Sequence, residues 1–406
     1  MAERLPRLGV ALIGYAFMGA AHSQAWRTAG HFFDLPYTVD RAVLAGRDGP
    51  AATAAADRLG WREVETDWRC VVQRDDVDLV DICTPGDSHA EIAIAALAAG
   101  KHVLCEKPLA NSVAEAEAMS AAAQRAAAAG VRSMVGFNYR RVPALALARR
   151  LIAEGRIGEV RHVRAQYLQD WIVDPQFPLV WRLQRERAGS GALGDIGAHI
   201  IDAGQFVTGQ RITGVSAVTE TFVRRRPLLA ARAGGLSATG SAESGEVTVD
   251  DAVLFTARFE GGALGSFEAT RFATGRKNAI RIEVNGSAGS LAFDFEAMNE
   301  LQFYDATTQA DVAGFTRIQV TEPTHPYMAA WWPPGHLIGY EHTFTHEVVD
   351  LLGDLHAGRD PSPSFADGLQ VQQVLAAVEA SASADSHWTA VGAHDVAAEP
   401  SNETGG

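Results

Sequence analysis

Cysteine is scarce in this chain: Cys70, Cys83 and Cys105 are the only three among 406 residues, and no two stand in a Cys-x-x-Cys spacing. That excludes a disulfide-stapled scaffold and a zinc ribbon, and an odd number of cysteines in apolar surroundings suits a reducing cytoplasm. Long apolar runs are missing too. The longest uncharged apolar stretch, near Gly9 to Ala21, falls short of the ~18 residues that a membrane span needs. Arg4 and Arg7 precede it as they would in a secretory leader, but the run is short and passes into a glycine turn, so the expected location is the cytoplasm. Positive charge is in deficit, with 35 lysines and arginines against 49 acidic residues and a net charge of −14. Such a surface repels nucleic-acid phosphates and anionic lipid, so neither nucleic acid nor membrane is an expected partner. No internal repeat is visible.

What is present is core-forming material, 47% hydrophobic against 21% charged, which separates the chain from disordered sequences. At roughly 100–200 residues per domain, the length predicts two domains. The first third alternates short apolar runs, at 8–13, 41–46, 77–84, 101–106 and 132–138, with alanine-rich helical stretches. Continuous apolar runs mark strands covered on both faces, and β-α alternation implies a parallel, doubly wound sheet. Segment 112–129 is the clearest helix: Ser112 and Glu115 form a capping box and Gly130 supplies the stop. Beyond about residue 155 the segments alternate in polarity, at 160–169, 213–223, 251–260, 263–272 and 280–286. These predict an α+β second domain with a large, open, mainly antiparallel sheet. Residues 230–246, rich in glycine, serine and alanine, are expected to form a mobile surface loop. Helices are expected near 339–356 and 365–382. The expected division is 1–140 for the dinucleotide-binding domain, which regains the helix near 365–382, 141–390 for the substrate and assembly domain, and 391–406 for a flexible tail.

The segment Gly14-Tyr15-Ala16-Phe17-Met18-Gly19 follows the first strand and precedes a helix, where a dinucleotide fingerprint belongs. A tight turn there lets backbone N–H groups approach a pyrophosphate. Ala16 replaces the usual second glycine, and its methyl crowds that approach. At the end of the second strand, Gly46-Arg47-Asp48 leaves two cofactors open. Asp48 suits the ribose hydroxyls of NAD, whereas Arg47 suits the 2′-phosphate of NADP or lies flat on the adenine. No second basic residue adjoins Arg47, which favours NAD.

Two further segments carry titratable groups in promising places. Lys107, in Cys105-Glu106-Lys107-Pro108, falls at the carboxyl end of a parallel strand, where open α/β sheets bind ligands. Taken alone it reads as a solvated lysine in a strand-end turn. In Gly194-Asp195-Ile196-Gly197-Ala198-His199, a helical backbone would set Asp195 and His199 at i and i+4 on one face. Taken alone, that spacing reads as a buried structural histidine near a helix N-terminus. Neither Asp195, His199 and Asp202 nor His342 and His346 has the spacing of a zinc motif, so no metal is expected. Tyr139, Arg140, Gln169, Trp171 and Arg182 lie in clusters of aromatic, amide and charged groups of the kind that suits a sugar ring, which has an apolar face and a rim of hydroxyls.

Together the stretches GYAFMGAAHS (14–23), TPGDSHAEIAIAAL (84–97), CEKPLA (105–110), GFNYRR (136–141), YLQDW (167–171), GSGALGDIGAHIID (189–202) and PSFADGLQV (363–371) resemble the glucose–fructose oxidoreductase/inositol dehydrogenase family, Gfo/Idh/MocA. The resemblance implies an N-terminal Rossmann domain and a C-terminal domain whose open sheet supports a homo-oligomer, dimer or tetramer. It implies oxidation of a secondary hydroxyl of a sugar or cyclitol, with the catalytic lysine, aspartate and histidine at Lys107, Asp195 and His199. Cofactor contacts are implied at Tyr15 to Met18, Thr84, His89, Glu106, Lys107 and Asn138, with Trp171 and Arg182 near the nicotinamide. Substrate contacts are expected at Lys107, Tyr139, Arg140, Gln169, Asp195 and His199. Gly86 departs from the family pattern, standing where many relatives carry asparagine. An inositol or glycoside dehydrogenase and a glycoside-cleaving enzyme that uses NAD transiently are the alternatives at this point.

Overall fold

The computed structural model describes residues 5–229 and 240–392. Six strands, β1 (Arg7–Ile13), β2 (Thr38–Ala45), β3 (Glu63–Glu65), β4 (Leu79–Ile82), β5 (His102–Glu106) and β6 (Ser133–Gly136), pair in parallel in the order β3-β2-β1-β4-β5-β6. Every residue of β1 after Arg7 is buried, as a strand covered on both faces requires. The covering helices are α1 (Phe17–Phe32), α2 (Gly49–Leu59), α3 (Trp68–Val72), α4 (His89–Ala98) and α5 (Val113–Ala127). At the start of α5 the Ser112 hydroxyl accepts the Glu115 N–H at 3.2 Å, and the Glu115 carboxylate takes the Ser112 hydroxyl at 3.0 Å. The strand order reverses between β1 and β4, so the crevice at their carboxyl ends is the place where such sheets hold ligands.

After α6 (Pro143–Ala153) comes the second sheet. It begins with β7 (Val160–Leu168); then follow α7 (Arg185–Ala188), α8 (Ala198–Thr208) and β8 (Ile212–Glu220). A separate two-stranded ribbon is formed by β9 (Arg225–Leu229) and β10 (Gly240–Glu246). The sheet continues through β11 (Ala252–Phe259), β12 (Leu264–Thr270), β13 (Ala279–Gly286), β14 (Gly289–Asp294), β15 (Glu300–Asp305), β16 (Thr316–Gln319) and β17 (Thr389–Ala390). Its order is β16-β15-β14-β13-β7-β12-β11-β8-β17, and among these neighbours only β7 and β12 run parallel. The helices α9 (Tyr340–His356) and α10 (Phe365–Ser383) follow β16. One core runs between the sheets, from Val80 and Ile82 through Phe137 and Leu193 to Phe255 and Phe267, with α8 and α10 inside it. On the opposite face of the second sheet Val218, Leu254 and Leu264 are exposed.

The expected surface loop at 230–246 is corrected in its second half. Gly240–Glu246 is extended and pairs with Arg225–Leu229, because backbone pairing needs no apolar side chains and the glycines permit the register shift between Gly240 and Ser244. Its first half, 230–239, and the tail from 393 lie outside the described residues.

A buried ion pair fixes α8 against the turn that follows β6. The Arg140 guanidinium bonds Asp202 through Nε at 2.8 Å and Nη2 at 2.5 Å, and both side chains are almost wholly buried. Burial holds the Asp202 carboxyl above its usual range although Arg140 pulls the other way. Removing one partner strands the other charge, so Asp202→Ala is expected to lower stability by about 3–5 kcal/mol, read as a drop in the urea midpoint.

Candidate active site

The cofactor end of the crevice is built by the turn between β1 and α1. Gly14 has φ +97°, a conformation in which a side chain would be strained, and a Cβ there would stand 2.7 Å from the Cys83 carbonyl oxygen. Ala16 is the N-cap of α1 with extended backbone, so it adopts its place without strain. No side chain caps α1 and no acidic residue lies in its first turn, so the free N–H groups and the positive helix end are left for an anion. Tyr15 and Met18 are half-buried; Ala16 and Phe17 are exposed beside them. At the end of β2, Asp48 uses one carboxylate oxygen to accept the Ala51 N–H at 3.2 Å and cap α2, while Arg47 beside it is exposed. Across the crevice, the Thr84 hydroxyl accepts from Ser88 at 2.8 Å. A Cβ at Gly86 would stand 2.4 Å from Oδ1 of Asn111, so that carboxamide occupies the room a longer residue 86 would need.

Lys107 stands one residue beyond β5 and reaches the start of α8. Its Nζ donates to the Asp195 carbonyl at 2.6 Å and lies 3.7 Å from Asp195 Oδ1. Leu193–Gly197 is wound as a π-helix, with the Ala198 N–H reaching the Leu193 carbonyl, and the α-helical winding begins only at Ala198. The expected i, i+4 face is therefore interrupted by a wider turn, a feature that recurs at functional sites. Burial opposes ionisation of Asp195, but Lys107, Arg182 and Arg271 together hold its carboxyl below the usual range. His199 is 8% exposed, and its Nδ1 is buried without a hydrogen-bond partner. Burial first, and the Lys107 charge second, push its imidazole well below the usual histidine range, so it is neutral at pH 7. One cation, one anion and one neutral base thus meet at one strand end.

An aromatic and amide wall adjoins His199. The rings of Tyr139 and Tyr167 lie 4.6 Å and 5.8 Å from it, centroid to centroid. Their hydroxyls are 2.9 Å apart, Tyr167 donates to Asn278 Oδ1 at 2.7 Å, and Gln169 donates to the same oxygen at 2.8 Å. Trp171 Nε1 in turn donates to Gln169 Oε1 at 2.9 Å. Arg182 lies over the ring of Trp181 while its charge acts on Asp195.

Two expected contacts are corrected. Arg140 is not brought to this cluster: Asp202 and the Ser362 hydroxyl, at 3.0 Å from Nη1, engage its guanidinium, which leaves no fork for a sugar. His89 is 1% exposed with both ring nitrogens on backbone carbonyls, Pro108 at 3.0 Å and Thr84 at 2.9 Å, so it ties two loops together and is closed to a cofactor. Asn138 is buried and gives its amide to Thr343 at 2.9 Å. Glu106 is buried against His22 at 2.9 Å. His346 accepts from Trp331 at 2.7 Å and meets the Arg141 carbonyl at 2.9 Å, which leaves no nitrogen for a metal.

Sequence reasoning missed Arg271 and Asp250. Arg271 is fully buried, 3.5 Å from Asp195 Oδ2, and 5.5 Å from the Trp171 ring. It continues the buried parity of Gly265, Phe267 and Ala269 along β12, and a charge in that parity was the available signal. Asp250 accepts the N–H groups of Gly191 and Leu193 at 2.7 and 2.8 Å, which anchors the turn before Asp195. Nothing in its local sequence marks it.

The chain belongs to the Gfo/Idh/MocA oxidoreductase family. Residues 8–137 match the oxidoreductase family with NAD-binding Rossmann fold, and residues 145–292 match the GFO/IDH/MocA C-terminal domain. It is an NAD-dependent oxidoreductase, and it is similar throughout to enzymes that act on sugars. Levoglucosan dehydrogenase of Pseudarthrobacter phenanthrenivorans is 45% identical over 394 residues, 95% of this chain and 99% of that one. A structure of levoglucosan dehydrogenase in complex with NADH and levoglucosan superposes with TM-score 0.89 at 44% identity, covering 95% of this chain and 99% of the other. An oxidoreductase domain protein from Kribbella flavida reaches TM-score 0.91 at 68% identity, covering 95% and 100%.

The two causes acting on His199 are separable by a variant that keeps the lysine stem and removes its charge. In Lys107→Met, the His199 midpoint followed by NMR of labelled histidine is expected to rise, because a like charge is gone. It should remain below the ordinary histidine value, because burial, the larger cause, persists.

Proposed function

We propose that this chain oxidises a secondary hydroxyl of levoglucosan or a closely similar pyranose, at C3, to the ketone. The observation that carries the reading is the convergence of Lys107, Asp195 and His199 at the crevice, beside a wall of tyrosine, amide and tryptophan groups suited to a sugar ring. The near full-length likeness to levoglucosan dehydrogenase supports the choice of sugar.

The residues of the turn before α1 fit the pyrophosphate of NAD: an uncapped helix end, a positive-φ glycine and no neighbouring acid. Asp48 has a second carboxylate oxygen for the ribose hydroxyls. When bound, NAD supplies the acceptor for the hydride that leaves the sugar carbon. The oxidation also releases the hydroxyl proton. His199, neutral and screened from water, accepts it; Lys107 holds the same oxygen and stabilises the developing alkoxide. Asp195 fixes the ammonium, and Arg271 and Arg182 keep that carboxyl ionised. Tyr139, Gln169 and Trp171 present the sugar-facing wall, and Trp171 and Arg182 adjoin the nicotinamide end. Residues 1–140 would hold the cofactor and 141–390 the sugar.

The exposed Val218, Leu254 and Leu264 of the second sheet support assembly into a dimer or tetramer through that face. A cytoplasmic location agrees with the free thiols of Cys70, Cys83 and Cys105, and no helix among the described residues is long and apolar enough to cross a membrane.

The test is NADH formation across levoglucosan, inositols and pyranosides. Levoglucosan should give the highest kcat/KM, and product analysis should place the ketone at C3; preference for inositol would overturn the choice of sugar. His199→Ala is expected to lower kcat by about 10²–10⁴-fold near neutral pH. Lys107→Ala should abolish turnover while NAD still quenches tryptophan fluorescence with a near-normal Kd.

A further inference from the structure

The strongest unassigned cluster lies behind the cofactor turn. His22, on α1, is 1% exposed and stands between two carboxylates. Its Nδ1 is 2.9 and 3.0 Å from the two oxygens of Asp81 on β4, and its Nε2 is 2.9 Å from Oε1 of Glu106 on β5. Ionised carboxylates only accept, and a ring flanked by one at each nitrogen can donate to both at once. The carboxylates are themselves fixed: Asp81 accepts from Trp26 Nε1 at 2.7 Å, and the other Glu106 oxygen takes the Lys107 N–H at 3.3 Å. A Cβ at residue 136 would stand 2.9 Å from Glu106 Oε1, so Gly136 keeps the space that the carboxylate occupies.

We propose that His22 is a positioning residue for the reaction, a two-pronged imidazolium donor that ties the helix facing the cofactor pyrophosphate to the strand end that carries Lys107. The inference rests on the proposed roles of that helix and of Lys107. Burial alone would drive the ring neutral, but Asp81 first and the Cys83 side chain after it hold the ring well above the usual histidine range. Other groups on the elements packed around it do not compete. On α9, burial pushes the Glu347 carboxyl up to about 8 and the Tyr340 phenol well above its ordinary value. On the strands, burial holds the Cys83 and Cys105 thiols protonated. Arg141, from the turn after β6, acts on Glu347. Asp81 and Glu106 are therefore the two carboxyl groups that the ring nitrogens meet. His22, Asp81 and Cys83 also lie close enough to share a metal ion. The proton reading is favoured because both nitrogens sit at hydrogen-bond distance from carboxylates and the thiol is protonated.

Nitrogen-15 NMR of histidine-labelled full-length protein reads the ring directly. Both His22 nitrogens should carry protons near neutral pH, where an ordinary histidine is largely neutral. A neutral ring, or a stoichiometric metal in the purified protein, would overturn the proposal. This readout needs no sugar, so it stands apart from the choice of substrate. His22→Asn can donate to only one carboxylate. Per folded molecule its kcat is expected to fall on the order of 100-fold, as for a misplaced reacting group. The isotope effect with carbon-deuterated sugar should rise, and the Kd for NAD should stay within about threefold of wild type. Unchanged kcat in folded His22→Asn would reduce His22 to a packing residue and overturn the proposal. If that variant does not fold, Glu106→Gln decides. Its amide oxygen can still accept from Nε2 but without the charge that holds the strand end to the ring, so kcat should fall about tenfold or more with the Kd for NAD nearly unchanged; an unchanged kcat would overturn the proposal.

Discussion

The contact between the Lys107 ammonium and the Asp195 carbonyl, 2.6 Å long, joins the two halves of the cleft. Lys107 follows a strand of the parallel sheet; Asp195 lies in the π-helical turn that leads into α8 beneath the mixed sheet. The same charge acts in opposite directions on its two neighbours. It draws Asp195 toward its ionised form and pushes His199 toward its neutral one. Burial adds to the second effect and opposes the first, so one charged and one neutral group stand four residues apart beside a lysine that sequence places far from both.

Charge is distributed very unevenly around this point. The chain carries −14 overall, yet Asp195 is faced by Lys107, Arg182 and Arg271. Arg140, which the sequence would add to that group, is neutralised by Asp202. A net negative chain with a locally positive cleft favours an anionic cofactor there.

Periodicity made the parallel sheet legible almost strand by strand, because a short, unbroken apolar run between helical stretches is what burial on both faces of a strand demands. The long strands β7, β8, β11, β12 and β13 were legible through the opposite pattern, the alternation that one covered face imposes. The short strand β3 and the polar strand β10 were not, since their pairing is made by backbone groups that leave no pattern in side chains. Within the site, Lys107, Asp195 and His199 could be singled out by chemistry, but their convergence needed the resemblance of whole stretches of sequence. Arg140 and His89 misled because residue type does not reveal a partner: a guanidinium beside a distant aspartate and an imidazole between two carbonyls look, in sequence, like free functional groups. Asp250 was invisible because its role is to accept two backbone N–H groups, a task that any well-placed carboxylate performs.

The outer edge of β6 does not stand free. The Val135 N–H bonds to the Pro363 carbonyl at 2.9 Å, and Arg132 reaches the carbonyls of Gly358 and Arg359. These partners lie more than half the chain further on. A nascent chain leaving the ribosome therefore presents the completed β1–β6 series with one edge unpaired until residues 358–363 have been made. Emergence of residues 358–363 is then the step that seals the sheet, and a translation product cut short before them would carry that open edge into the cell.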